Sequence, residues 1–456
     1  MKSLLMICGL CVIASPLAAQ ERIAIKGARI LPVSGPPIDA GVIVINKGKI
    51  EAVGKDVAIP AGAKVIDATG KTVVPGFVEA HSNRGMDQVN ETNPNVPFLS
   101  VVDAIDPSQE YFEECRRQGI TTAAIIPGNN TMFGGQGAIV KTVGSLVDDM
   151  IVKRSVGIKI SLRPMSDRNR MGHVAAIRKE LDAARYALAD AKKAADAKPA
   201  EEKKGGAGGE QPPLAAGDDD TQPGRGRRPG AGGGQAGFGQ APDAALVREA
   251  LVKLLKGEVL AFIYCELAMD VPQALKLINE YKLKAVLVLA PDCHKAVKQI
   301  AAAKLPVILD PTLVYWETDA RTGEERQIAL PKLYRDAGVP VTYSVTGIAA
   351  GTLGRAPNLP PTVGTNYLWY QAATAVKHGT PADEALAAIT LKAAQAIGIG
   401  DRAGSIEVGK DADLAILTGD PLKLDTWVDK TLIAGKVVYD RNDDRKLKAL
   451  LMPDAK

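Results

Sequence analysis

Metal or acid-base chemistry in this chain must be done with few imidazoles. Four histidines occur in 456 residues, and of these only His81 ends an apolar run. The stretch Val73-Val74-Pro75-Gly76-Phe77-Val78-Glu79-Ala80-His81-Ser82-Asn83 turns on Pro-Gly, re-enters as a short buried strand and delivers a polar end. Asn83 follows His81 two residues on, and as a zinc ligand an amide oxygen is weak compared with imidazole. Catalytic zinc takes three protein ligands and lowers the pKa of its water to about 7, and a carboxylate then moves the proton. Near a later apolar run, Glu266 and Cys265 are the ligand-capable side chains, and Asp87 follows the first run. The remaining histidines are not spaced as a metal pair. His173 opens a helix, where an exposed or capping role is the simpler reading. His294 lies one turn into another helix as a surface or supporting polar group, and His378 ends a third, where a cation complements the helix dipole.

The elements that must hold these residues are α/β in type. Val259–Ile263, Ala285–Leu289, Val307–Leu309 and Val339–Tyr343 are short and apolar at their centres, and charged helical stretches precede most of them. Ala123–Ile126 follows a helix ending at Arg117-Gln118-Gly119, with Gly119 as its C′ residue. That alternation is expected of βα units in a parallel sheet. Aromatic residues make up only 4% of the chain, so Val, Ile, Leu and Ala must fill the core, as in a sheet buried on both faces. At the two ends, over residues 21–74 and 399–445, short strands punctuated by glycine turns predict one composite β-sandwich. Residues 75–398 form the body between them.

Composition bounds the rest. A formal charge of +4 is small for this length and argues against nucleic acid as a partner. Residues 1–20 carry Lys2, an apolar core and a small-residue exit, the pattern of a secretory signal peptide. No transmembrane helix is expected once it is removed, so a secreted or periplasmic location follows. The three cysteines beyond it, Cys115, Cys265 and Cys293, are too sparse for a disulfide framework. From 191 to 242 the chain is low in complexity and too poor in apolar residues to offset ordering entropy. It reads as a disordered insertion within the body, preceded by an Ala-rich helix over about 174–193. The Gly-rich stretch 128–137 lacks the Gly-Lys-Ser/Thr ending of a P-loop and reads as a glycine-bearing turn.

Three separated pieces agree in order with one family. The run Pro75 to Asn83, then Gly409-Lys410-Asp411-Ala412-Asp413-Leu414, then Ile433-Ala434-Gly435-Lys436-Val437-Val438 resemble the amidohydrolase superfamily. Asn90 to Pro94, Asp103 to Pro107 and Gly119 to Lys141 resemble its imidazolonepropionase-like branch. The resemblance implies a (β/α)8 TIM-like barrel clasped by the composite β-sandwich. It also implies a metal held by a His-x-His pair on strand one, histidines after strands five and six, an aspartate after strand eight and, in some branches, a carboxylated lysine after strand four. On those positions this chain places His81, Asn83, the Tyr264-Cys265 pair, Leu289 and Thr346.

His81 is then the only surviving ligand position, with Glu266 as a further donor. No catalytic residue is assigned, because Thr346 stands at the usual aspartate position. Asn83, Gln136, Lys141, Tyr264, Cys265 and Leu289 are the residues expected to line the pocket. The resemblance therefore implies a scaffold with a degenerate metal site: a pseudoenzyme with no expected cofactor, acting as a binding or assembly partner. Its partner would be an amidohydrolase-fold relative, a second copy of itself or a small-molecule ligand. The alternative is a hydrolase of carbon-nitrogen bonds in cyclic amides or dipeptides, using zinc or another divalent metal in an altered site around His81.

Overall fold

The structure is a computed structural model that describes residues 22–196, 244–319, 321–345 and 367–451. The expected signal peptide, the low-complexity stretch beyond 196 and Thr346 lie outside the described residues.

Five strands open the chain: β1 (Ile23–Ile30), β2 (Ile38–Asn46), β3 (Lys49–Gly54), β4 (Lys64–Asp67) and β5 (Thr72–Pro75). Lys47 and Gly48 turn β2 into β3 with φ of 51° and 76°. Positive values at both central residues suit the right-handed twist of a hairpin. After Gly76 the chain enters the barrel sheet, whose strands are β6 (Phe77–Ser82), β7 (Ile120–Ile125), β8 (Phe133–Lys141), β9 (Ile151–Ser161), β10 (Leu260–Cys265), β11 (Ala285–Leu289) and β12 (Val307–Leu309). A two-stranded hairpin, β13 (Val314–Thr318) and β14 (Glu325–Ala329), precedes the last barrel strand, β15 (Val341–Tyr343). The chain ends with β16 (Leu414–Leu417), β17 (Val428–Ile433) and β18 (Lys436–Asp440).

The barrel strands follow in the order β15-β12-β11-β10-β9-β8-β7-β6, a nearly closed TIM-like sheet. One strand departs from the all-parallel expectation. β8 pairs antiparallel with both β7 and β9, because the short loop from Ile125 to Phe133 cannot carry the crossover that a parallel pair requires. Helices cover the outside. Alternate strand residues, among them Phe77, Ile158, Ile160, Ile263, Cys265, Leu287, Leu289 and Tyr343, pack in one cluster with helices such as Glu110–Arg117, Ala244–Leu255 and Val271–Tyr281. The opposite faces supply Val78, Ala80, Ala124, Phe262, Tyr264, Val288, Ala290 and Ile308 to a second cluster that fills the barrel. The Ala-rich helix runs over Arg170–Asp196, so the first residues of the expected insertion are helical.

The two chain ends share one ladder, β18-β17-β16-β5-β1-β2-β3 with β4 beside β1. Its apolar face gathers Ile25, Ile30, Ile43, Ile45, Leu414, Ile416 and Leu432. Gly76 joins it to the barrel where space is short, since a Cβ there would sit 2.2 Å from Thr121 Oγ1. An ionic clasp lies at the same junction. Lys141 pairs with Asp413 and, at 3.4 Å, with Asp411. Asp411 also takes Lys49 at 2.8 Å and Arg402 at 2.9 Å, while Asp413 accepts the Ala434 N–H at 2.9 Å.

Candidate functional site

The strand that carries His81 is irregular where it matters. β6 and β7 match Val78 with Thr122 and Glu79 with Ala123, but the next match is Ser82 with Ile125. The extra residue in β6 is a β-bulge, a device that re-aims side chains at strand ends. Val78 and Ala80 fill the barrel. The bulge then lets His81 follow Ala80 inward, where its Nε2 lies 2.8 Å from Lys159 Nζ. Lys159 stands on β9 beside Phe262, fully buried, with its amine 5.3 Å from the centroid of the Tyr264 ring.

Burial sets the charge of this pair. It pushes the Lys159 ammonium down to about 7, against the opposing pull of Cys265 and Asp310. Burial also holds His81 well below the ordinary imidazole range, and the Lys159 charge adds to that. A neutral ring that accepts at Nε2 carries its proton on Nδ1, a tautomer assigned from the hydrogen-bond network.

Glu79 belongs to the wall. Its Oε1 accepts the His81 N–H at 3.3 Å and its Oε2 the Val345 N–H at 3.1 Å, while Ser344 Oγ donates to the His81 carbonyl at 3.0 Å. β6 and β15 share no ladder, so these bonds stitch the barrel seam. Burial pushes the Glu79 carboxyl up to about 8, although the two N–H groups and Ser344 oppose it.

One interior layer shows an imbalance. Register places Ser161, Tyr264, Val288, Ile308 and Thr342 side by side across β9, β10, β11, β12 and β15. Tyr264 Oη and Thr342 Oγ1 have no hydrogen-bond partner, and Val288 and Ile308 between them offer none. Most buried polar atoms are satisfied.

The residues singled out from the sequence are dispersed. Tyr264 faces the barrel interior with His81 and Lys159. Asn83 is half-buried just beyond His81. Cys265 and Leu289 point outward into the helix layer, because strand alternation places the neighbours of Tyr264 and Val288 on the other face. Gln136 is held by the Pro97 carbonyl and Ser155. Lys141 lies in the clasp at the end of the barrel away from the mouth, a consequence of the reversed direction of β8. Glu266 is engaged by Arg163 and Arg170, each at 3.3 Å.

Two of the other histidines also differ from expectation. His173 is fully buried, with Nε2 2.8 Å from the Ser161 carbonyl. His294 is buried against the Pro291 carbonyl and Tyr315. His378 is the C-cap of the helix Leu368–Lys377. Lys159 was not anticipated; its signal is a lone charge in Gly157-Ile158-Lys159-Ile160-Ser161.

These donors do not fit a catalytic zinc. Among the described residues no group of three His, Cys, Asp or Glu is placed to hold a metal ion, and residues 346–366 contain none of those residue types. The one imidazole at the mouth turns its Nε2 to an amine. Three protein ligands are the usual minimum.

Comparison with known proteins supplies the family context. The amidohydrolase family model matches residues 263–438. The chain is 22% identical to Amidohydrolase tasK of Hapsidospora irregularis over 91% of its own length and 42% of that protein's. It is 38% identical to a 5-methylthioadenosine/S-adenosylhomocysteine deaminase of Moorella thermoacetica over 17% of its length and 19% of that protein's. It thus spans less than half of these curated relatives. The crystal structure of an amidohydrolase from Thermotoga maritima superposes with a TM-score of 0.71 and 24% identity, covering 92% of this chain and all of that one.

Proposed function

We propose that this chain, whose residues 263–438 match the amidohydrolase family model and whose fold is that of a solved amidohydrolase, is a member of that superfamily that has given up ordinary metal-dependent hydrolysis and works as a binding protein with a ligand seated in the barrel mouth. The observation that carries this reading is the 2.8 Å contact between Lys159 Nζ and His81 Nε2. A buried amine that shares the imidazole lone pair competes with any metal for it. In this proposal the leader at residues 1–20 exports the chain to the periplasm or beyond, and a fold relative is its assembly partner.

Elemental analysis of protein purified without chelators tests the reading. Well under one transition metal per chain is expected, together with no hydrolysis across dipeptide, lactam and ester panels. Stoichiometric zinc, iron or manganese that disappears in His81→Ala would overturn it. Pull-down from the native envelope should recover an amidohydrolase-fold relative, and repeated recovery of none would remove the partner.

A second reading is favoured by the position of Lys159. Some branches of the superfamily carboxylate a lysine after strand four, and β9 is the fourth barrel strand. A carboxylated Lys159 beside His81 would add oxygen donors and suit a hydrolase of carbon-nitrogen bonds in cyclic amides or dipeptides. The same metal analysis, joined to an intact mass for the carboxyl adduct, separates the two.

A further inference from the structure

The strongest unused chemistry in the molecule is an amine. Lys159 is buried inside the barrel, and its hydrogen-bond partner is an imidazole nitrogen where a lysine ordinarily finds a carboxylate. Beside it lies a phenol whose hydroxyl has no partner, on a tyrosine that is only 1% exposed. Thr342 Oγ1, in the same layer, is unpartnered too. A buried hydroxyl left unmatched is costly, so two in one layer beside a buried amine held by an imidazole point to a guest that brings an oxygen atom.

We propose that Lys159 forms an imine with a small aldehyde or ketone that enters the barrel mouth, with His81 as the base and Tyr264 Oη as the donor that receives the carbonyl oxygen. The proposal rests on the metal-free reading above, because a metal-bound imidazole could not serve the amine. In the first step the Nζ lone pair bonds to the carbonyl carbon and the π electrons move to oxygen. His81 Nε2 takes a proton from Nζ and returns it to that oxygen, giving a carbinolamine. In the second, the carbon–oxygen bond breaks, the C=N bond forms, and the remaining amine hydrogen leaves with the hydroxyl. Both Nζ hydrogens and the carbonyl oxygen depart as one water. No oxidant or reductant is needed.

The geometry suits each role. His81 is already within hydrogen-bond reach of the nucleophile, the first requirement of a general base. The Tyr264 ring lies beneath the amine, and its hydroxyl is free to donate. Val288 and Ile308 complete the layer with apolar side chains, so a carbonyl compound with an apolar substituent matches its chemistry.

The test is reductive trapping on the full chain. Propanal or acetone is added with sodium cyanoborohydride, and adducts are located by peptide mass spectrometry. Lys159 should gain one reduced propyl or isopropyl group, faster than any exposed lysine. Tyr264→Phe and His81→Asn, each verified as folded by its melting temperature, should slow that adduct by roughly 100-fold. A merely structural role for either residue would leave the trapping rate of the folded variant unchanged. Lys159→Met should carry no adduct on the corresponding peptide.

Labelling confined to exposed lysines, with Lys159 reacting only after denaturation, would overturn the proposal. In protein that assays as metal-free, that result removes the imine alone. Stoichiometric metal in the same preparation removes the binding-protein reading as well.

Discussion

Two regions of this molecule draw a lysine in from solvent, Lys141 half-buried and Lys159 fully buried, and they manage the charge by opposite means. Beneath the barrel, Lys141 lies between Asp411 and Asp413, and Asp411 also takes Lys49 and Arg402. At the mouth, Lys159 meets an imidazole, and Glu79 meets two amide N–H groups. Burial acts to raise Asp411, but the Lys49 hydrogen bond and the Lys141 and Arg402 charges outweigh it and hold the group below the usual carboxylate range. Around Lys159 and Glu79 burial dominates, and it favours the neutral forms. The clasp pairs its charges while the mouth suppresses them. Paired charges hold a joint together, whereas uncharged nitrogen and oxygen groups remain available for reaction or binding.

The largest test of this contrast removes one side of a pair. Lys141→Met leaves the nearly buried Asp413 without its cation, and a broken buried pair costs about 3–5 kcal/mol. Urea unfolding should show that loss, and Lys141→Arg should restore part of it. The corresponding change at the mouth removes hydrogen bonds instead of a counter-charge. Glu79→Ala strands the His81 and Val345 N–H groups, at about 1–3 kcal/mol each, and hydrogen exchange at both amides should rise.

The pH dependence separates the regions further. Folded Glu79 keeps its proton up to about 8, whereas the unfolded chain releases it near about 4.3. The folded state therefore binds more protons between those values, and this contribution to stability, full below the lower value, is lost as pH rises to about 8. Lys159 acts in the opposite direction. The unfolded amine holds its proton to about 10.4 and the folded one only to about 7, so stability recovers as pH rises between them. His81, held well below the unfolded value of about 6.5, offsets Glu79 in acid, so melting temperature should change little below about 6.5 and climb above about 8; Glu79→Gln should remove the falling contribution of the carboxyl and Lys159→Met the rise. Asp411, with its lowered value, contributes stability that is lost only in acid, as pH falls through that value.

The smallest expected effect has the opposite sign. Tyr264→Phe removes a buried hydroxyl that lacks a partner and should stabilise the free protein by about 1 kcal/mol, read as a rise in melting temperature.

Much of the scaffold was legible from sequence because it is written in local patterns. Ala285–Leu289 and Val307–Leu309 fall where their apolar runs place them, and Gly119 turns at φ 79° after the helix Glu110–Arg117. The site was less legible because it depends on register. Cys265 and Leu289 are neighbours of mouth residues in sequence and face away from the mouth in space. The bulge in β6, which turns His81 inward, has no signature in Ala80-His81-Ser82. The reversal of β8, which carries Lys141 to the far end, is set by the length of one loop. Lys159 escaped notice because a single lysine in an apolar strand resembles an edge residue until its neighbours on both sides are known.

The stitch at the barrel seam has a kinetic meaning. The eight barrel strands form a strip with two free margins, and the bond from Val345 to Glu79 that joins them spans 266 residues of chain. Contacts so distant in sequence are entropically costly to form early. The strip is therefore expected to assemble first and roll shut last, and a nascent chain that has not yet reached Val345 must wait with its first barrel strand unsealed.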